Sequence, residues 1–270
     1  MHFKEGVSVL MKSITVGDVY RYIDAFAPFN TQDKFDNSGL LVGSMESPTT
    51  KVAVCLDITR KTAEEAAQKG AELIVSHHPL IFHKLSAVEK HNPLNILIKN
   101  DISAICAHTN LDICKGGVSD EMLELLGFKG ETKVLEPIHS DGSGYGRIIE
   151  VNFSPTADFL AEMCKKAFHC TAVRYYDSGR SIKTIGICSG AGGSESDVEN
   201  AVKMGCDALI TGDIKHSGFI EAANRGLTLI DAGHFHTENI ICRKIAEGIK
   251  NDLGIEAFVE ENSVDMLKYC

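Results

Sequence analysis

An internal repeat is the feature that most constrains the fold of this chain. One stretch begins at Lys51 and a similar one begins at Lys183, and each reads as an apolar strand, an amphipathic helix and a second apolar strand. Gly70 and Gly205 follow the two helices at matching positions, where glycine suits a left-handed cap. Similarity at a fixed offset indicates a repeated supersecondary unit. A further helix and strand follow in each half, so both halves are predicted to run strand, helix, strand, helix, strand.

The strands of the repeat are nearly continuous apolar runs, which is typical of parallel sheets covered by helices on both faces. We therefore predict an internally duplicated α/β fold with mostly parallel or mixed sheets. Residues 130–180 differ in character, with a glycine-rich loop, an extended stretch and a helix that Ser154 and Pro155 are expected to open. The change in composition predicts a domain boundary near Gly127 to Lys133.

Composition excludes several classes of protein. The chain has 270 residues, of which 44% are hydrophobic, but no run approaches the roughly 18 apolar residues of a membrane span. Residues 1–13 lack the apolar core of a signal peptide, so a cytoplasmic location and no membrane partner are expected. The net charge of −10 argues against a nucleic-acid partner on electrostatic grounds. The nine cysteines include no Cys-x-x-Cys pair, which favours free, buried thiols.

A short motif recurs at equivalent strand ends of the two halves. His108-x-x-x-Asp112 follows the apolar run at 102–106, and His234-x-x-x-Glu238 follows the run at 227–230. Parallel α/β sheets place their functional sites at the edge where strands end. Imidazole and carboxylate groups on strand-end loops are suited to borderline divalent metals. The repeated motif therefore predicts a metal centre.

The two halves differ at one pair of positions. His77 and His78 follow a strand of the first half, whereas Gly212 and Asp213 stand at the matching place in the second. Asp213, with His216 nearby, could orient a ligand imidazole or touch substrate, or it could cap the following helix, and the sequence leaves these alternatives open. We therefore expect an asymmetric site, with different side chains contributed by the two halves.

Four imidazoles and two carboxylates exceed the needs of one tetrahedral ion, and the duplicated motif suggests two divalent ions per chain. Paired ions of this kind lie about 3.5–4 Å apart and activate water, so hydrolysis or hydrolytic ring opening is the expected chemistry. The ligand types favour zinc, iron or manganese without choosing among them. The candidate metal-binding residues are His77, His78, His108, Asp112, His234 and Glu238.

A second glycine-rich loop, Ser189 to Ser196, lies between a predicted strand and helix. Its backbone N–H groups could cradle an anion, but it matches no nucleotide-binding motif, and a tight turn that needs positive φ explains it equally well. Arg147, next to the other glycine-rich loop, could contact an anion.

With these residues assembled, the chain resembles the GTP cyclohydrolase I type 2 homologue family, also called the NIF-three-like dinuclear metal-centre proteins. The resemblance covers nearly the whole length and rests on six ordered motifs. They are FDNSGLLVG at 35–43, SHHPLIF at 76–82, AHTNLD at 107–112, CSGAGGS at 188–194, TGD at 211–213 and DAGHFHTE at 231–238.

The resemblance implies two metal ions held by five of the six candidate residues, with His108 as a further ligand or a supporting partner. It also implies two similar α/β domains that face each other across the metal cleft, and a homo-oligomer in the form of a ring-shaped hexamer. The first domain is expected to comprise residues 1–128 plus 231–270 and the second 129–230. Of the two histidines in GHFHTE, His234 holds the motif position and His236 is expected to be dispensable.

The first functional hypothesis is a metal-dependent hydrolase acting on a nucleotide or related heterocycle, with the GTP cyclohydrolase activity that the resemblance implies. Ring opening needs general acid and base groups. His108 and His216 are candidates for these roles, and the sequence does not decide between them. The alternative is a non-catalytic metal-binding protein or regulatory scaffold.

Overall fold

The computed structural model of the protein describes residues 13–270, so the expectation about a signal peptide falls largely outside the described residues. Up to residue 125 the elements are α1 (Val16–Phe26), β1 (Gly39–Val42), β2 (Lys51–Cys55), α2 (Arg60–Lys69), β3 (Leu73–Ser76), α3 (Leu94–Lys99), β4 (Ser103–Cys106), α4 (Thr109–Ile113) and α5 (Val118–Leu125). The remaining elements are β5 (Thr132–Pro137), β6 (Gly144–Glu150), α6 (Ala157–Ala167), β7 (Arg174–Tyr176), β8 (Thr184–Ile187), α7 (Glu195–Lys203), β9 (Ala208–Thr211), α8 (His216–Arg225), β10 (Thr228–Asp231), α9 (His234–Glu238), α10 (Ile240–Gly248) and β11 (Glu256–Val259).

The first sheet has five strands in the order β1-β4-β3-β2-β11. All neighbouring strands pair in parallel except β1, which is antiparallel to β4. Along β2, Val52 and Val54 belong to one buried cluster, whereas Ala53 and Cys55 belong to another. Successive side chains of a strand point to opposite faces, so this sheet is buried on both faces.

The second sheet has six strands in the order β5-β6-β8-β9-β10-β7. Its centre, β8 to β10, is parallel, and β5, β6 and β7 pair antiparallel at the margins. Ala208 and Ile210 of β9 pack on one face, and Leu209 packs on the other. The predicted α/β class with mixed sheets is confirmed.

The internal repeat is visible in the strand order. β2, β3 and β4 are adjacent in the first sheet, and β8, β9 and β10 are adjacent in the second, in each case in parallel. The predicted left-handed glycines are also confirmed, since Gly70 has φ 70° and Gly205 has φ 82°. Both halves therefore bring three parallel strand ends to one edge of a sheet.

The region between the halves differs from its prediction in two respects. Helix α6 begins at Ala157 with Thr156 as its N-cap, so the expected start at Ser154 and Pro155 is wrong by two residues. The Thr156 hydroxyl accepts a hydrogen bond from the N–H of Phe159, which satisfies a free donor of the first turn. Strand β5 was not predicted; it pairs closely with β6 because Gly144 has no Cβ, which would lie 2.0 Å from the carbonyl oxygen of Glu136.

The last strand, β11, pairs with β2 and thus lies in the first sheet. Residues 260–270 follow it without regular secondary structure. The domain limits of 1–128 plus 231–270 and 129–230 stay a prediction. All nine cysteines are free and seven are buried, as expected. Within residues 13–270, no helix has the length and apolar character needed to cross a membrane.

Candidate metal centre

The candidate ligands come together at strand ends of both sheets. His77 and His78 directly follow β3, and His108 lies just after β4 as the N-terminal flanking residue of α4. His234 is the first residue of α9, which follows β10. Carboxyl ends of parallel strands, in both halves, thus supply the histidines.

The acidic residue of each His-x-x-x-acid motif lies on a helical turn, and not on the strand-end loop that the sequence predicted. Asp112 lies within α4, and His234 and Glu238 are the two ends of α9. Residues four apart on a helix project to the same side, and in α9 this places Nε2 of His234 2.9 Å from Oε2 of Glu238. The four-residue spacing of the motifs was therefore a signal from which a helical turn could have been predicted.

Three overlapping sets of side chains could each hold a metal ion, with ligand atoms within 4.8 Å of one another in each set. All six residues predicted from the sequence belong to at least one set, and His77, His78 and Glu238 belong to two. The sets are His77, His78 and His108; His78, His234 and Glu238; and His77, Asp112 and Glu238.

Each of the four imidazoles is held from its Nδ1 side. Such a bond fixes the ring and leaves Nε2 as the atom available to a metal, an arrangement found around metal-binding histidines generally. The four Nδ1 contacts, each 2.8 Å long, run from His77 to the carbonyl of Ala107, from His78 to Asp57, from His108 to Asp36 and from His234 to Asp213.

Glu238 occupies the centre of the cluster. Its Oε2 lies 2.9 Å from Nε2 of both His78 and His234, and these two ring nitrogens are 3.3 Å apart. Nε2 of His77 is buried and has no hydrogen-bond partner within residues 13–270, although Glu238 Oε1 lies at 3.8 Å and Asp112 Oδ1 at 3.7 Å. A buried nitrogen without a partner between two carboxylates fits the donor set of a metal cation.

The charges in the cluster shift the pKa values of its members. Burial opposes the charged form of His78, but hydrogen bonds to Asp57 and Glu238 outweigh it and raise the pKa of His78 to about 10. The pKa of His234 rises to about 9 because hydrogen bonding and charge from Glu238 and Asp213 likewise overcome burial. Burial alone would raise the pKa of Glu238, yet the surrounding imidazoles hold it well below its usual value. The carboxylates of the site therefore stabilise positive charge in their midst.

Asp213 acts on an imidazole and does not cap a helix. Its Oδ2 bonds Nδ1 of His234, and Lys215 is the N-cap of α8. His216, the first residue of α8, is exposed and belongs to none of the three ligand sets within residues 13–270. Of the alternatives for Asp213, orientation of a ligand imidazole is the one that the structure supports.

Several supporting residues were missed in the sequence. Asp57 follows the end of β2, where the strand-end argument could have found it. Asp36 lies before β1, and its only signal in the sequence is its place in the FDNSGLLVG motif. Ser189 donates from Oγ to Oδ1 of Asp112 over 3.1 Å. Gly190 is required beside the cluster, because a Cβ there would lie 2.0 Å from Oε1 of Glu238.

The glycine-rich loop after β8 is a tight turn. Gly190 has φ 64°, and its N–H donates to the hydroxyl of Thr237, while the N–H of Gly192 donates to that of Thr211. The hydroxyl of Ser194 caps the following helix α7. Because the protein itself occupies these donors, the anion-cradle alternative is not supported.

Arg147 is also structural, and the suggested anion contact is wrong. Its side chain is buried, with Nε and Nη2 bonded to Asp120. The other N–H groups donate to the carbonyls of Cys114, Gly144 and Gly146. No donor remains for a ligand.

A cavity of about 1080 Å³ adjoins the cluster, and His78 and His234 form part of its wall. His236 also lines this cavity and belongs to none of the ligand sets; its Nε2 lies 3.3 Å from Oδ2 of Asp265. The volume is that of a pocket for a small organic molecule.

Fold and site together define a mixed α/β protein with a candidate metal-binding centre of imidazoles and carboxylates. Residues 14–265 match the family model of Duf34/NIF3 (NGG1p interacting factor 3). The chain belongs to this family.

Relatives match over nearly their full lengths. A Clostridium perfringens (strain 13 / Type A) protein named GTP cyclohydrolase 1 type 2 homolog is 36% identical over 262 residues, covering 94% of this chain and 99% of that protein. The crystal structure of Staphylococcus aureus hypothetical protein SA1388 has a TM-score of 0.84 at 28% identity, covering 96% of this chain and 100% of its own. A Bacillus cereus protein related to NIF3 has a TM-score of 0.88 at 20% identity with the same coverage, which supports the fold alone.

Proposed function

We propose that this chain is a dinuclear metal-dependent hydrolase that acts on a nucleotide or related heterocycle in a GTP cyclohydrolase type of reaction. The observation that carries the proposal is the set of four imidazoles, each fixed through Nδ1, around the buried carboxylates of Glu238 and Asp112. The name of the Clostridium perfringens relative supports the choice of substrate class.

Two divalent ions, zinc, iron or manganese, would be held by the six residues of the cluster. Such ions lower the pKa of water and polarise the oxygen under attack. The protein's own contribution is positional: Asp36, Asp57 and Asp213 fix the histidine rings, and Ser189 holds Asp112. Residues held in this way need little rearrangement when substrate arrives.

A second candidate, a non-catalytic metal-binding protein or regulatory scaffold, is favoured by one observation. All four histidines of the cluster have Nδ1 occupied, and His216 is exposed outside it. Within residues 13–270 the cluster thus offers no histidine beyond its candidate ligands to serve as general acid or base. The family description, which refers to an interacting factor, agrees with this alternative.

Metal analysis combined with substrate screening separates the two candidates. Protein loaded with zinc, manganese or iron is incubated with a panel of nucleotides that includes GTP, and product is followed by chromatography. We expect turnover in the wild type, none in Glu238→Ala, and full turnover in His91→Ala, whose exposed histidine lies outside the cluster. Absence of turnover on every nucleotide, with metal bound, would favour the scaffold.

Metal content tests the centre itself. We expect about two ions per chain in the wild type and fewer in His78→Ala, since His78 belongs to two ligand sets. The His91→Ala protein should retain the wild-type content. Less than one ion per wild-type chain, unchanged by His78→Ala, would contradict a metal centre.

On the family resemblance we also propose a homohexameric ring in the cytoplasm. Sedimentation velocity of the metal-loaded protein checks the assembly, with a single species of six times the chain mass expected. A monomer at micromolar concentration would contradict it.

A further inference from the structure

The cavity beside the cluster has a wall made by the end of the chain. Residues 262–269 all line it, together with His78 and His234 of the candidate centre. The cavity is therefore continuous with the site at which the proposed reaction would occur. A substrate bound at the cluster would extend into this space.

The terminal segment, residues 261–270, is anchored at its beginning. The buried carboxylate of Glu65 accepts hydrogen bonds from the backbone N–H groups of Glu261 and Asn262, each 2.9 Å long. Ser263 Oγ donates to Oδ1 of Asn239, the residue after α9, over 3.0 Å. The segment thus has a fixed path from the first sheet to the cavity.

Beyond these anchors the segment leaves its apolar side chains uncovered. Met266 is 63% exposed and Leu267 is 66% exposed, and Val264 and Tyr269 are nearly half exposed. Apolar side chains in the wall of a cavity, combined with a few polar groups, are typical of a ligand-binding site. They would gain burial from a ligand with an apolar face.

The cavity wall also carries two cationic side chains that can meet an anionic group of that ligand, Arg174 and Lys268. The acidic residues of the wall are already engaged, since Asp57, Asp213 and Asp265 each lie beside an imidazole and Asp231 is paired with Arg174. Among the described residues, the hydrogen bonds of the Arg174 guanidinium come from Nη2 only.

This leaves the other N–H groups of Arg174 free, and the Arg174 side chain is 63% exposed. Lys268 is exposed in the same wall and has no ion pair within residues 13–270. Two cationic side chains with free donors suit a phosphate group.

We propose that this cavity is the recognition subsite of the enzyme and that it binds a nucleoside phosphate. Met266, Leu267 and Tyr269 cover the planar base, and Arg174 and Lys268 contact the phosphate. The proposal rests on the proposed function, because it takes the occupant to be the substrate of the metal centre. It makes the last residues of the chain determinants of specificity.

Calorimetric titration of the metal-loaded, full-length protein with GTP and with guanosine tests both parts. We expect GTP to bind about tenfold more tightly than guanosine, since the charged contacts are lost with the phosphates. Arg174→Gln, which keeps a donor for Asp231, should remove most of that difference while leaving guanosine binding unchanged. The double variant Leu267→Ser/Tyr269→Ser should lower the affinity for both GTP and guanosine about tenfold.

Ile220→Ser is the matched control, because Ile220 is 50% exposed on α8 and does not line the cavity. Its affinities should equal those of the wild type. Metal content and thermal unfolding are measured on every variant, so a general loss of structure is recognised independently of ligand binding.

Wild-type affinity for both ligands in the Leu267→Ser/Tyr269→Ser protein would overturn the proposal. So would a change of oligomeric mass in that variant with unchanged affinity, since this assigns the apolar side chains to a contact between subunits. GTP binding that responds to these variants without any turnover would overturn the hydrolase function alone. If a substrate is turned over but its binding is unchanged in these variants, only the proposed subsite is overturned.

Discussion

The two halves of the chain share one order of strands and helices but contribute differently to the candidate metal centre. The first half supplies His77 and His78 after β3, and its third strand leads to His108 and Asp112. The second half supplies ligand groups only after its third strand, at the start and end of α9. At the end of β9 it has Gly212 and Asp213 instead.

The difference has a steric reason. A Cβ on Gly212 would lie 2.6 Å from both the carbonyl oxygen of Gly190 and the N–H nitrogen of His234. The second half therefore cannot carry a histidine where the first half carries His77. The first half thus supplies four of the six candidate ligands. The second half supplies the other two, together with close-packed turns and with Asp213, which bonds the ring of His234.

The largest expected effect comes from making the second half more like the first. Gly212→Ala should lower the free energy of unfolding by about 3 kcal/mol, because both clashing atoms belong to the backbone and neither can turn away. Denaturant unfolding measures the change. The control is Gly205→Ala, where φ is 82° but no atom lies within 4 Å of the added Cβ, so only about 1 kcal/mol of backbone strain is expected. Equal losses in the two variants would contradict the steric account.

The second prediction compares the carboxylates that orient equivalent histidines. Asp36→Asn and Asp213→Asn should each weaken metal binding by about 10- to 100-fold, as measured by competition with a chelator. The loss should be greater for Asp36, whose side chain is fully buried and also accepts bonds from Thr109, than for Asp213, which is 56% exposed. Asp101→Asn, at an exposed site outside the cluster, should bind metal as the wild type does. A greater loss for Asp213 would reverse the comparison.

The smallest effect, when counted per pH unit, concerns the first sheet, in which β11 is an edge strand and leads into the terminal segment. Burial and the adjacent Glu65 carboxylate raise the pKa of Glu260 from 4.5 to about 9. Since the folded state then holds a proton that the unfolded state releases, stability should fall as pH rises from 4.5 towards 9, by at most about 1.4 kcal/mol per pH unit. Glu260→Gln should flatten this slope, whereas Glu89→Gln, at an exposed position that does not act on Glu260, should not. Parallel stability profiles for the wild type and Glu260→Gln, from denaturant unfolding across this range, would contradict the prediction.

Much of the fold was accessible from the sequence because it rests on local patterns. The strands of the repeat are apolar runs, their helices carry capping residues such as Thr59 and Ser194, and Gly70 and Gly205 end them. The additional strands β1 and β5 were missed, since each pairs antiparallel with a partner that the local pattern does not identify. The start of α6 was misplaced because Ser154 and Thr156 are both suitable N-cap residues, and only the hydrogen bond that Thr156 accepts decides between them.

For the site, the sequence alone determined the residue types, their strand-end positions and the asymmetry between His77-His78 and Gly212-Asp213. These are properties of order along the chain and of side-chain chemistry. Only the tertiary structure decided which atoms meet: Glu238 between the rings of His78 and His234, Asp36 and Asp57 behind their histidines, and the terminal segment in the cavity wall. Contacts between residues as distant as His78 and Glu238 depend on how the two sheets pack, and no local pattern in the chain contains that information.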